Sequence, residues 1–327
     1  MVESGTAHDV TGGAGAGQPG ASRLPLPVSG ERRETNGRAG RIAYYVAGEG
    51  APLLLVHSIN AAASAYEVHP IFEHAKRHRR AYAVDLPGFG GSDRSARSYD
   101  VRLFVDAIHD MVDVIAADAG RQPIDALAVS LSAEFLARAA IERPERFRSL
   151  ALVTPTGFDR RADQLREPAG STREMAWLHG LLTVPLWSQA LFDLLVSRRS
   201  IRFFLRKTFG SNQVDEGLSN YAYLTAHQPG AKNAPYAFVS GRLFSTDIRT
   251  LYERLTLPVW LAHGTRGDFQ DFSGAGWIRS RGNWTEQSFD AGALPHFEQT
   301  AAFLEAYDQF LAHASHGSSS TVSSPSP

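Results

Sequence analysis

Short apolar runs recur along the chain, separated by longer stretches in which apolar and polar residues alternate with a helical period. From Arg41 onward the runs are Ile42 to Val46, Leu53 to His57, Ala81 to Asp85, Ala126 to Ser130, Leu150 to Thr154 and Val259 to His263, with a last one near Glu286 to Phe289. Leu53 to His57 is too continuously apolar for a strand with one wet face, and reads as a central parallel strand covered on both sides. Between the runs, Val101, Phe104, Val105, Ile108, Val112 and Ile115 keep three- and four-residue spacing, which gives one apolar helix face to lie on a sheet. Strand and helix alternating without an internal repeat predict an α/β fold, a mostly parallel central sheet flanked by helices, with ligands at the carboxyl ends of the strands.

The alternation stops at about Asp159 and resumes after Thr250. The intervening sequence reads as helices rich in large apolar residues, among them Trp177, Leu181, Leu186, Trp187 and Leu194. It is expected to be an inserted helical lid over residues 159–250, carried by a core made of 39–158 and 251–313. The flanks, 1–38 and 314–327, are rich in Gly, Ala, Ser or Pro and are expected to be disordered.

Composition narrows the function classes. The 33 basic and 34 acidic residues leave a formal charge of -1, so no global field draws the chain to nucleic acid or to an anionic membrane, and small-molecule partners are expected. Cysteine is absent, which removes disulfides, thiolate metal sites and a Cys nucleophile. The N-terminal segment has no apolar stretch fit for a signal peptide, Arg32 and Arg33 are followed by polar residues where a twin-arginine signal needs apolar ones, and no run is long enough to span a bilayer. A cytoplasmic location is expected. His74 and His78 share a helix face, and His69 lies nearby, but their charged neighbours read as a solvated surface, so neither metal nor cofactor is expected.

The chemistry is carried by Ala128-Val129-Ser130-Leu131-Ser132, which ends an apolar strand just before a helical run. A serine in a sharp strand-to-helix turn needs small residues two before and two after it, and Ala128 and Ser132 are small. A hydroxyl there can instead cap the helix. To act as a nucleophile it needs a base, an orienting acid and an oxyanion site. Asp268 follows the strand from Val259, and His296 follows the last strand, so Ser130, Asp268 and His296 stand in the chain order of such sites. Asp159 is an alternative acid and Ser132 a weaker nucleophile. The backbone N–H groups of Ile59, just past the strand from Leu53, and of Leu131 are the expected oxyanion donors. Arg198, Arg202 and Arg206, four apart in the lid, face either solvent or an anionic substrate group.

These pieces, with D-L-P-G-F-G-G-S-D at Asp85 to Asp93 and L-P-H-F-E-Q around His296, resemble the α/β-hydrolase superfamily, in the serine-nucleophile branch with a helical cap between strands six and seven. The resemblance covers roughly residues 41–312. It implies a triad of Ser130, Asp268 and His296 and, most simply, hydrolysis of an ester or related acyl bond in a hydrophobic small molecule through an acyl-enzyme on Ser130. Carbon–carbon bond hydrolysis, other Ser-His-Asp chemistry of this fold and a non-catalytic small-molecule receptor are the alternatives.

Overall fold

The computed structural model describes residues 24–160, 168 and 170–317. Eight strands form one sheet: β1 Glu31–Gly37, β2 Gly40–Ala47, β3 Pro52–Val56, β4 Arg80–Val84, β5 Ile124–Val129, β6 Phe147–Val153, β7 Val259–Gly264 and β8 Trp284–Phe289. They lie in the order β1-β2-β4-β3-β5-β6-β7-β8; β1, β2 and β4 pair antiparallel, and every pair from β4 to β8 is parallel. Each apolar run of the sequence is thus a strand, and the sheet is the mostly parallel one its continuous apolarity predicts. The helices preceding the lid are α1 His69–Ala75, α2 Val101–Ala119 and α3 Ser132–Glu142.

One expectation is corrected at the front of the chain. Residues 31–37, read as part of a disordered segment, form β1, because all seven pair in register with β2 from Glu31 opposite Val46 to Gly37 opposite Gly40. Its polar sequence suits an edge strand that gains its stability from backbone pairing rather than from burial. Residues 1–23 and 318–327 of the expected disordered flanks lie outside the described residues.

Successive side chains of a strand point to opposite faces, and here both faces are dry. Leu54, Val56 and Ala126 join Phe104, Ile108 and Phe135 of α2 and α3 in one core. Leu53, Leu55, Leu127 and Val129 join Ile71 and Phe72 of α1, and Phe303 and Tyr307 of the C-terminal helix, in the other. The lid enters between β6 and β7 as α4 Ala176–Leu182, α5 Ser188–Leu195, α6 Arg198–Phe209, α7 Glu216–Ala226, α8 Asn233–Val239 and α9 Ile248–Arg254. It has a small core of its own around Phe192, Val196, Ile201, Ala226 and Tyr236. After β8 the chain makes the single-turn helix α10 Pro295–Glu298 and ends in α11 Thr300–Gly317.

Candidate active site

The tip of β5 is strained at one residue. Ser130 has φ 54°, in the left-handed region that costs an L-residue about 1–3 kcal/mol. Its N–H donates to Val153 O at 2.8 Å, which fixes the turn to the neighbouring strand, and α3 begins two residues later. The small residues the turn requires are in place: Ala128 and Ser132 are fully buried. Burial also separates the two serines. Ser132 is sealed inside α3, whereas Ser130 is half-exposed and lines a cavity of about 300 Å³ between the strand ends and the lid.

Ile59 and Leu131 line the same cavity, and among the described residues neither N–H donates to a protein acceptor. The loop carrying Ile59 is held by scaffold bonds. His57 Nε2 accepts from Leu86 N–H at 3.0 Å, which puts the ring proton on Nδ1, where it donates to Ser58 O at 2.6 Å. The Gly-rich turn serves the same end: the buried Asp85 carboxylate accepts from Gly91 N–H at 2.8 Å, Tyr45 Oη at 2.9 Å and Ala65 N–H at 2.8 Å. Ala65 starts the short helix that brings Glu67 to the cavity.

Among the described residues no hydrogen bond joins the three residues of the expected triad: Asp268 lines the cavity with Ser130, and His296 does not. His296 is fully buried in α10, packed against Phe297 and Phe303 with ring centroids 5.1 and 5.5 Å away, and it does not line the cavity. Its Nε2 lies 2.7 Å from Glu67 O, and a carbonyl can only accept, so Nε2 carries the proton and donates it there. Nδ1 is buried without a partner, and burial lowers the imidazole pKa to about 4. The ring is neutral at pH 7 and works as a strut behind Glu67. Asp268 stands at the cavity mouth, its side chain 55% exposed, in an ion pair with Lys207 Nζ at 2.8 Å. The turn after β8 packs tightly on the lid. Ala293 N–H donates to Thr208 O at 2.7 Å, and a Cβ on Gly292 would stand 2.2 Å from the same oxygen. The chain lies close against α6 there; Ala293 and Leu294 line the cavity, and His296 beyond them is fully buried. Asp159 lines the cavity as well.

No histidine stands among the described residues that line the cavity; its buried ionisable groups are carboxyls. Glu67 accepts from Ser58 N–H at 2.8 Å and from Asn60 Nδ2 at 2.6 Å. Glu134, one helical turn beyond Ser130, accepts from Thr156 Oγ1 at 2.5 Å and from Ser245 N–H at 2.9 Å. Desolvation raises its pKa to about 7, against the lowering pull of those hydrogen bonds and of Arg173. Arg173 also lines the cavity, and its guanidinium has no hydrogen-bond partner among the described residues. Phe158, Phe238, Phe244, Phe269, Phe272 and Leu205 supply the apolar wall. Glu67, Glu134 and Arg173 were not singled out from the sequence; the signal available was a carboxylate set four residues after Ser130 in the buried first turns of α3.

Among the described residues one trio has metal-ligating potential, His74, His78 and Asp308, whose ligand atoms lie within 4.8 Å of one another. It joins α1 to α11 through the bond from His74 Nε2 to Asp308 Oδ2 at 2.7 Å, and none of the three lines the cavity.

Comparison with known proteins agrees with the fold. A sequence model of the α/β-hydrolase fold family matches residues 51–206. The chain is similar to the (E)-2-((N-methylformamido)methylene)succinate hydrolase of Acinetobacter baylyi, 25% identical over 124 residues; the match spans 38% of this chain and 44% of that protein, under half its length. Among solved structures it is similar to a serine hydrolase involved in carbazole degradation (TM-score 0.65, 17% identity, 87% of this chain and 99% of that one). It is also similar to an esterase from Exiguobacterium antarcticum (TM-score 0.67, 16% identity, 85% and 98%). With its sheet order, its strained serine at the tip of β5 and its helical insertion between β6 and β7, the chain has the α/β-hydrolase fold, and residues 51–206 match that fold family's sequence model.

Proposed function

We propose that this protein hydrolyses an ester or related acyl bond of a small, largely apolar molecule, with Ser130 as nucleophile. The observation that carries the reading is the left-handed Ser130 at a strand tip, opening on a cavity where the Ile59 and Leu131 N–H groups have no protein acceptor. Such paired donors stabilise the oxyanion of a tetrahedral intermediate by roughly 3 to 4 kcal/mol each. The cavity volume, about 300 Å³, suits a compact substrate, and the aromatic wall favours an apolar one.

The proton goes to a carboxylate rather than to an imidazole. Ser130 Oγ forms a bond to the substrate carbonyl carbon, its proton passes to ionised Glu134, and the carbonyl oxygen takes the negative charge between Ile59 and Leu131. Collapse of that intermediate breaks the bond to the leaving group, which receives the proton from Glu134. Water then attacks the acyl-serine by the same path and returns the proton to Ser130. A carboxyl that titrates near neutrality suits both halves of this cycle. Glu67, braced by His296 from behind, orders the oxyanion loop through Ser58 and Asn60.

A second reading, a receptor that binds the same class of molecule without turnover, is favoured by the lack of a histidine among the described cavity residues. Fluorophosphonate labelling of the wild type, Ser130→Ala and Ser132→Ala separates the two. The hydrolase reading expects labelling that is lost in Ser130→Ala alone, with turnover of short p-nitrophenyl esters. Absence of labelling, alongside thermal stabilisation by apolar esters, would establish the receptor reading instead.

A further inference from the structure

The lid carries an apolar surface that the cavity does not use. Trp177, Leu181, Leu186, Trp187, Leu191 and Leu194, all on α4, α5 or the turn between them, are at least 40% exposed; Leu186 reaches 86% and Trp177 and Leu194 71%. The two helices form a continuous feature, because Trp187 Nε1 donates to Leu181 O at 2.9 Å across the turn. None of the six lines the cavity. Isolated exposed leucines are ordinary, but a clustered surface of this kind marks a contact with another phase or molecule.

The charges beside it indicate which. Across residues 174–207 the sequence has five cations, Arg198, Arg199, Arg202, Arg206 and Lys207, against two acids, Glu174 and Asp193. All five cations lie on α6, which packs on α5 and exposes Phe203 and Phe204 as well. Arg202 and Lys207 are paired with Glu216 and Asp268. Arg199 and Arg206 are exposed and have no carboxylate partner among the described residues. Tryptophan, leucine and phenylalanine beside unpaired arginines are the composition of a surface that lies in the interface of an anionic bilayer, the rings and aliphatic chains in the acyl boundary and the arginines on the headgroups. A second copy of the chain would bring like-charged α6 helices together.

We infer that the α4–α5 surface of the lid, flanked by α6, docks on anionic lipid. No helix among the described residues is long and apolar enough to cross a membrane, so the contact is peripheral. The near-neutral formal charge of the whole chain sets no field toward lipid, and the attraction comes from a local arrangement. This inference does not depend on the chemistry at Ser130.

The test is flotation of the full chain with vesicles of phosphatidylglycerol and phosphatidylcholine, compared with phosphatidylcholine alone. The wild type is expected to float with the anionic vesicles, with a blue shift of tryptophan emission, and to be released by salt. Arg199→Ala combined with Arg206→Ala should lower partitioning by roughly thirtyfold at low salt. Trp177→Ser, Leu186→Ser and Leu194→Ser together should abolish flotation while keeping the wild-type melting temperature. Equal behaviour of wild type and triple variant on anionic vesicles would overturn the inference. So would a concentration-dependent dimer, measured by light scattering, that the triple variant dissociates without any vesicle binding by the wild type.

Discussion

Replacing Glu134 by Gln tests the idea that this cavity holds a carboxyl poised between two charge states. In the folded protein its pKa is raised from 4.5 to about 7, so the neutral form is the one the fold prefers. The sign follows from proton counting: between those values the folded state binds more protons than the unfolded one, and stability falls as pH rises. The contribution is fully present below pH 4.5 and is lost as pH climbs to 7, a change of about 3 kcal/mol. Glutamine keeps the shape, but its NH2 only donates, so its one oxygen accepts from Thr156 or from Ser245 and not from both, a loss of about 1–3 kcal/mol. Glu134→Gln should therefore be less stable than wild type at pH 5 and gain on it by about 2–3 kcal/mol by pH 8, a relative shift in Tm of roughly 5 °C for a chain of this size. Thermal melts of both proteins across pH 5 to 8 read this directly. In the same series, ester hydrolysis should fall at least about a hundredfold in the variant, the usual weight of a general base. Parallel melting curves would refute the raised pKa, and an unchanged pH–rate profile would remove Glu134 from the chemistry.

The other ionisable residues give predictions of different kinds. His296 titrates with the opposite sign: its pKa is lowered to about 4, so its contribution is present above 6.5 and lost as pH falls through that window. His296→Ala, which empties a fully buried site and removes the bond to Glu67 O, should lower stability by about 3 kcal/mol in urea unfolding at pH 7.5, and reduce fluorophosphonate labelling of Ser130 far less than Ser130→Ala does. A complete loss of labelling with an unchanged urea midpoint would restore the imidazole as the base. Asp268→Asn breaks only an exposed pair with Lys207, so stability should change by about 0.5 kcal/mol or less and ester turnover by less than about threefold; a drop comparable to that of Ser130→Ala would show that the acid acts in the reaction.

Much of the scaffold was legible in the chain itself, because strand burial and helix amphipathicity are written as local periodicities. Leu53–Leu55 on one face and Leu54–Val56 on the other need two apolar layers, and that demand alone predicts a covered parallel sheet. The elbow was legible too, since a sharp turn tolerates only small neighbours and Ala128 and Ser132 meet that condition. What the sequence could not decide was direction and proximity beyond the strand ends. His296 stands three residues after Ala293, and the alanine lines the cavity while the imidazole is buried, a placement that depends on how the turn after β8 packs on α6 and not on sequence spacing. Asp268 was read from its turn, but Lys207, 61 residues away, captured it at the surface. Glu67 and Glu134 became site residues because loops distant in sequence closed over them, and desolvation by those loops rather than residue type set the charge of Glu134. The lid's apolar content was legible as well, yet which residues fill its core and which stay outside was settled by tertiary packing: Phe192 and Val196 point in, while Leu186 and Leu194 remain in water.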